Sequence, residues 1–392
     1  MQLNRENIIQ HKIHTSFNTP GASLFQLPEK VLQFGTGVLL RGLPDYYIDK
    51  ANKQNVFNGR VVIVKSTGKD VDEFAKQDCL YTQCIKGIEN GSTVEEYIIN
   101  AAVSKVISAQ TNWQDILMYA ESPEMQIIIS NTTEVGLALK EDDNINANPP
   151  ESFPGKLLAF LHKRFKHFNG SEESGMVIIP TELIVDNGKQ LKKFILQLAA
   201  LNNLEAAFIE WIDSANDFCS SLVDRIIPGA LKEEEKIAFE KLAGYTDNLA
   251  LMGEPYNLWA IETSSEKTKD ILSFSKIDSN VIIADDIQKY RELKLRLLNG
   301  THTYNCGLAY LAGFNLVSDA THNKTLLAFM KRLMMQEIIP CITGKNITDD
   351  EAIAFGNKVI ERFSNLSIEH KWINITIQYT TKMKNRNIPL IL

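Results

Sequence analysis

Short runs of consecutive apolar residues, each closed by small polar ones, punctuate the first two thirds of the chain. The clearest are Lys30–Phe34, Arg60–Lys65, Met125–Ser130 and Gly175–Pro180, with Tyr97–Asn100 a shorter case. Val61, Val62, Ile63 and Val64 follow one another without a polar break, as in a strand covered on both faces. Between these runs lie segments with helical spacing: one opening at Val38 and running through Ile48, one over Trp113–Tyr119 and one over Lys156–Phe168. The tract Lys140–Pro154 reads as loop, and the polar residues ahead of Lys30 read as a surface arm. Strands alternating with helices predict a parallel sheet with helices on both faces. Beyond about Ile283 the texture changes. Asp286–Leu298, Leu308–Phe314, Lys324–Ile339, Asp349–Phe363 and Ile368–Met383 all carry helical periodicity, and few strand signals remain. The expected architecture is α/β over residues 1–283, then an all-helical domain over residues 284–392.

Charge and cysteine usage narrow the function classes. The net charge is -7 and the pI about 5.6. No Lys/Arg run is present, so nucleic-acid binding is not expected. Any anionic substrate must then be met by local cations and not by the overall field. Cys79, Cys84, Cys219, Cys306 and Cys341 are scattered and form no CxxC pair, which argues against a thiolate zinc site. There is no basic segment followed by an apolar run at the N-terminus and no apolar stretch long enough to span a bilayer. A cytoplasmic protein, outside any membrane and acting on a small molecule, is expected.

Phe34-Gly35-Thr36-Gly37 follows the first strand and opens a helix in which Arg41 and Gly42 stand. Glycines there let the backbone approach a pyrophosphate, and the helix start offers N–H groups and a favourable dipole. Taken alone, the spacing is equally that of a tight strand–helix connection; its place at the first strand of an α/β chain favours a Rossmann-like dinucleotide site. The second strand ends in Lys65-Ser66-Thr67, with Asp70 further on, where an acid would receive the adenosine ribose of NAD. A lysine and a serine suit a 2′-phosphate as well, which leaves NAD and NADP both open at this point. Asn131 and Thr132 end another strand, in the position of a ligand crevice or of ordinary helix capping.

Lys294-Leu295-Arg296-Leu297-Leu298-Asn299-Gly300-Thr301-His302 carries the candidate chemistry. Alcohol oxidation needs a base for the hydroxyl proton and donors for the alkoxide. Burial can lower a lysine's pKa enough for that role. On a regular helix Lys294 and Asn299 stand about 140° apart, so a break at Asn299-Gly300 is expected if they act together. Without it, a basic helix ending in an Asn-Gly turn explains the segment.

The KxxxxNxxH pattern of Lys294, Asn299 and His302 resembles that of the mannitol dehydrogenase family, the long-chain polyol-specific dehydrogenases. The similarity extends to Phe34, Gly35, Gly37, Arg41 and Gly42, to Val223-Asp224-Arg225-Ile226 before Pro228, and to Glu254-Pro255-Tyr256-Asn257-Leu258-Trp259. It implies a Rossmann-like domain followed by a helical domain, NAD as cofactor and no metal. It further implies Lys294 as general acid/base, Asn299 in the oxyanion site, and His302 orienting the lysine or the sugar. A packed core histidine is the alternative for His302. Phe34, Gly35, Thr36, Gly37, Arg41, Ser66, Asn131 and Thr132 are the expected cofactor contacts.

Ser130–Gly136, Pro180–Gly188 and Phe218-Cys219 resemble the members of this family that act on a hexonate. The resemblance implies interconversion of D-tagaturonate and D-altronate. Fructuronate, mannitol and hexitol phosphates are the alternatives within the family, and a non-catalytic dinucleotide-binding sensor is the alternative outside it. Glu182 and Leu183 stand where mannitol dehydrogenases carry Asp-Asn, so Glu182 and Asn187 are the substrate-contact candidates. Arg225, Lys382 and Lys384 are the candidates for pairing with the substrate carboxylate, Lys384 by its place before Pro389. The apolar end Pro389-Leu390-Ile391-Leu392 reads as cut short of its relatives. A monomer or small homo-oligomer is expected.

Overall fold

The computed structural model describes residues 1–10, 13–132, 136–344 and 346–392. Six strands form a wholly parallel sheet: β1 (Glu29–Phe34), β2 (Arg60–Lys65), β3 (Val103–Ser108), β4 (Ile127–Ser130), β5 (Val177–Pro180) and β6 (Asp217–Phe218). Their spatial order is β3-β2-β1-β4-β5-β6. This is the doubly wound arrangement, whose order reverses between β1 and β4, where such sheets bind dinucleotides.

Side-chain alternation explains why these runs are apolar throughout. Leu32, Phe34, Val62, Val64 and Ile128 point into one core cluster, and Val31, Val61, Ile63, Ile127 and Ile129 into another. Each such burial is worth about 1.5–3 kcal/mol. Gln33 lies on the second face, where alternation calls for an apolar residue, and it is fully buried.

Two compact units divide the chain. The first comprises Met1–Cys84, Glu96–Gly253 and Asn257–Asp285; the second comprises Ile85–Glu95, Glu254–Tyr256 and Asp286–Leu392. In the first, the segment after β1 is two helices and not the single one expected: α1 (Val38–Gly42) and α2 (Pro44–Lys53). Leu43 leaves helical dihedrals (φ -131, ψ -73), because Pro44 cannot donate to the preceding turn. The residues ahead of β1 are not a loose arm either. They include a helix over Arg5–Gln10. Leu3, Phe17 and Leu24 are buried, and the Phe17 ring stacks on Tyr97 at 4.8 Å. Two further helices of this unit bear on the site, α3 (Phe153–His167) and α4 (Asn187–Leu201).

The second unit is predominantly helical. Its core gathers Leu297, Cys306, Met330, Met334, Val359, Phe363 and Trp372. Helix α5 (Gln288–Leu293) passes into a π-helical turn over Lys294–Gly300 and then into α6 (Thr301–Leu311). The expected break at Asn299-Gly300 is therefore absent, and the helix widens there instead of ending. Helix α7 (Asp349–Phe363) begins at a capping box in which Thr348 and Glu351 bond each other's backbone. The helix expected over Ile368–Met383 is divided into Trp372–Ile375 and α8 (Tyr379–Arg386). Gln378 sits between them in the left-handed region at φ 56.

Candidate active site

In the first unit, the turn after β1 opens onto a cavity of about 570 Å³. Gly35, Thr36 and Gly37 line it together with Ser66 and Thr67 beyond β2, Asn131 and Thr132 beyond β4, and Lys156 of α3. Gly35 has φ 132, and a Cβ there would meet Leu40 Cδ1 at 3.0 Å and the Asn131 carbonyl oxygen at 3.1 Å. A Cβ on Gly37 would find nothing within 4 Å. The first glycine is thus demanded by the chain itself, while the second leaves open space above the helix start. That combination fits a pyrophosphate approaching the backbone.

Phe34 lines this cavity, yet its ring is buried against Phe153 at a centroid distance of 5.1 Å. Arg41 is also buried, and its guanidinium donates to the Thr36 carbonyl at 3.2 Å and to the Leu249 carbonyl at 2.8 Å. It lies over the rings of Tyr81 and Phe74. The loop beyond β4 is held by Glu182. This carboxylate accepts from the Thr132 amide at 2.8 Å, the Thr132 hydroxyl at 3.0 Å and the Ser130 hydroxyl at 3.2 Å. Burial pushes the Glu182 pKa up, against the pull of those donors. Asn131 donates to the Thr181 carbonyl and hydroxyl. Thr133, Glu134 and Val135 of the expected ligand crevice lie outside the described residues.

Asn187 is fully buried and spent on backbone. It donates to the Glu182 and Ser221 carbonyls and accepts from the Gly188 and Ser221 amides. An amide offers two donors and one carbonyl, so nothing is left for a sugar hydroxyl. Arg225, also buried, donates to the Gly42 carbonyl at 2.7 Å and stacks over Tyr46 at 4.6 Å. Both residues hold the fold around α1, α2 and α4.

In the second unit, Lys294 and Asn299 are half-buried at the two ends of the π-helical turn. Hydrogen bonds running from i to i+5 slow the rotation per residue, so five residues make little more than one turn. Lys294 and Asn299 therefore return to the same side of the helix, which a regular α-helix would not allow. Side chains brace the widened backbone: Thr303 Oγ1 donates to the Asn299 carbonyl at 2.9 Å and Asn387 Nδ2 to the Gly300 carbonyl at 3.0 Å. His302 is buried in a ring cluster, stacked on Phe363 at 4.1 Å with His370 edge-on at 4.8 Å. Burial first, and nearby cationic groups second, hold its pKa well below the usual imidazole value. Its place among these rings fits the core alternative. On α8, Lys384 is exposed. Lys382 and Arg386 are half-buried, and Arg386 donates to Thr303 Oγ1 at 3.2 Å.

The mannitol dehydrogenase Rossmann-domain model matches residues 29–273, and the mannitol dehydrogenase C-terminal-domain model matches residues 286–392. The chain belongs to the mannitol dehydrogenase family. Among relatives in that family, the altronate oxidoreductase of Halalkalibacterium halodurans is 40% identical over 97% of this chain and 74% of its own length. That of Bacillus subtilis is 37% identical over 93% of this chain and 75% of its own length. Two solved structures share the fold over the whole chain. A substrate-free D-sorbitol dehydrogenase aligns with TM-score 0.83 at 20% identity, covering 80% of that chain. Pseudomonas fluorescens mannitol 2-dehydrogenase, in a ternary complex with NAD and D-mannitol, aligns with TM-score 0.79 at 22% identity, covering 79% of that chain.

Sequence reasoning missed Lys156. Its ammonium donates to the Glu151 carbonyl at 2.7 Å, and burial lowers its pKa. It gives this member of the mannitol dehydrogenase family a cation at the cavity wall. No motif marks it, because a lysine one turn into a helix has no distinctive spacing. Among the described residues no cluster of His, Cys, Asp or Glu could hold a metal ion.

Proposed function

We propose that the chain is an NAD-dependent oxidoreductase that interconverts D-tagaturonate and D-altronate, with Lys294 as general acid/base and no metal. The observation that carries the chemistry is the π-helical turn, which sets an amine and a carboxamide five residues apart on one side of a helix. The substrate assignment is supported by the altronate oxidoreductases, 35–40% identical over most of the chain. Gly35, Thr36, Gly37, Ser66, Asn131 and Thr132 would hold the dinucleotide, with Lys156 supplying positive charge.

When bound, the dinucleotide would supply the hydride in its reduced form and accept it in its oxidised form. During reduction the carbonyl carbon gains the hydride and the π electrons move to oxygen. The Asn299 amide donates to that oxygen, and the Lys294 ammonium gives it a proton and is left as the neutral amine. Oxidation runs the same steps backward, with the neutral amine taking the hydroxyl proton. A cytoplasmic setting is supported by five scattered cysteines that form no CxxC pair. It is also in keeping with the lack, among the described residues, of a helix able to cross a membrane.

Loss of NADH absorbance on adding D-tagaturonate tests the assignment. Turnover of fructuronate or mannitol in its place would move the substrate within the family. NADH binding without turnover of any of these substrates would sink the catalytic reading.

A further inference from the structure

The turn that faces the cofactor cavity is held from behind by three buried polar side chains, Gln33, Arg41 and Asp45. Gln33 is fully buried in β1, and its Nε2 donates to the Gly35 carbonyl at 3.3 Å and to Asp45 Oδ2 at 3.4 Å. Arg41 Nε donates to the Thr36 carbonyl. Asp45, at the start of α2, is fully buried and also receives the Tyr81 hydroxyl at 3.4 Å. The carbonyl that anchors the other side of the guanidinium belongs to Leu249. That loop is fixed by Asp247, which accepts from Gln77 at 2.8 Å and from the Leu249 amide at 2.9 Å.

A trans peptide is planar, with its C=O and N–H pointing in opposite directions. Drawing the Gly35 and Thr36 carbonyls inward must therefore turn the N–H groups of Thr36 and Gly37 outward. Two successive N–H groups facing the same way form an anion-binding concavity. We propose that Gln33 and Arg41 are positioning residues for the dinucleotide: they never touch it, but fix the two peptide planes whose N–H groups bind its pyrophosphate, while the Arg41 charge reinforces that field from beneath. The Asp45 carboxyl then acts as a tuner. Neutral, it leaves the Arg41 charge to the phosphate; ionised, it cancels it. The other charged or titratable groups facing this pair are Tyr81, Asp49 with its partner Lys53, and Asp247. Burial raises the Asp45 pKa to about 7, so this change falls within the range where the protein can be assayed.

The inference rests on the cofactor reading, and a titration of NADH fluorescence separates the two. In the intact chain, Arg41→Met and Gln33→Leu should raise the NADH Kd about tenfold or more. The loss should appear in KM for NADH and far less in kcat at saturation, and Arg41→Lys should recover part of it. Between pH 6 and 8.5 the wild-type Kd should rise several-fold, whereas that of Asp45→Asn should stay flat. Should Arg41→Met fail to fold by circular dichroism, Arg41→Lys and Gln33→Leu decide on the same criterion. Folded variants that bind NADH within twofold of wild type, or a pH profile unchanged by Asp45→Asn, would overturn the inference alone. A wild-type chain that binds neither NADH nor NADPH would overturn the cofactor reading with it.

Discussion

Gly35 and Gly37 are separated by Thr36 alone, and opposite constraints act on them. At Gly35, φ of 132 and contacts near 3 Å with Leu40 and Asn131 leave no room for a methyl group. Gly35→Ala should cost about 1–3 kcal/mol of stability, read as a lowered Tm. Gly37 has φ of -62 and open space beyond. Gly37→Ala should leave Tm unchanged within a degree or two and raise the NADH Kd, because the methyl occupies the approach to the phosphate. Equal effects of the two substitutions on Tm would contradict this account of the turn. At the other candidate residue, Lys294→Ala should lower kcat by about 10²–10⁴-fold while NADH affinity changes little. Retention of near-normal kcat would remove Lys294 from the chemistry. Lys294 and Asn299 stand out as candidates in the sequence because a spaced motif marks them. Gln33 and Arg41 were not legible in their roles, because which peptide a buried side chain holds depends on packing and not on spacing.

Among the elements, four of the six strands of the parallel sheet were legible, while Val103–Ser108 and Asp217–Phe218 were not. Arg60–Lys65 is found with the expected bounds, because an unbroken β-branched run such as Val61–Val64 has few other uses, and Lys30–Phe34 begins one residue earlier. The π-helical turn was not legible. Its apolar spacing is compatible with a regular helix, and only the need for Lys294 and Asn299 to meet suggested an irregularity, which was expected as a break. A widening achieves the same juxtaposition while keeping Leu297 and Leu298 in the core. Inserting one alanine after Leu295 would set Lys294 and Asn299 six residues apart and rotate them about a third of a turn away from each other, whether the helix stays wide or reverts to α. The expected outcome is a fold retained by circular dichroism with kcat reduced at least about 10²-fold. An insertion variant with full activity would show that the register of this turn has no part in positioning the lysine.

The two units carry buried titratable groups of opposite kind, and this sets how the whole molecule answers to pH. In the first unit, burial raises the carboxyl pKa values of Asp45, Asp247 and Glu182, Asp45 to about 7. The folded state then holds these protons more tightly than the unfolded chain, so the first unit loses stability as pH rises from about 4 to about 7. In the second unit, burial lowers the pKa of His302 and, to a lesser extent, His370. There the unfolded chain binds protons that the folded state refuses. The second unit is thus fully stable above about pH 6.5 and weakens as pH falls below it. Hydrogen exchange at pH 5 and pH 8, corrected for the intrinsic rate, should therefore shift in opposite senses. Protection of α6 amides should fall toward pH 5, and protection of β1 and α2 amides should fall toward pH 8. His302→Phe should blunt the first change and Asp45→Asn the second, each leaving the other unit's profile in place. If both units lose protection together in the same direction, these buried groups do not govern the pH response, and the neutral imidazole and protonated carboxyl assigned to them are wrong.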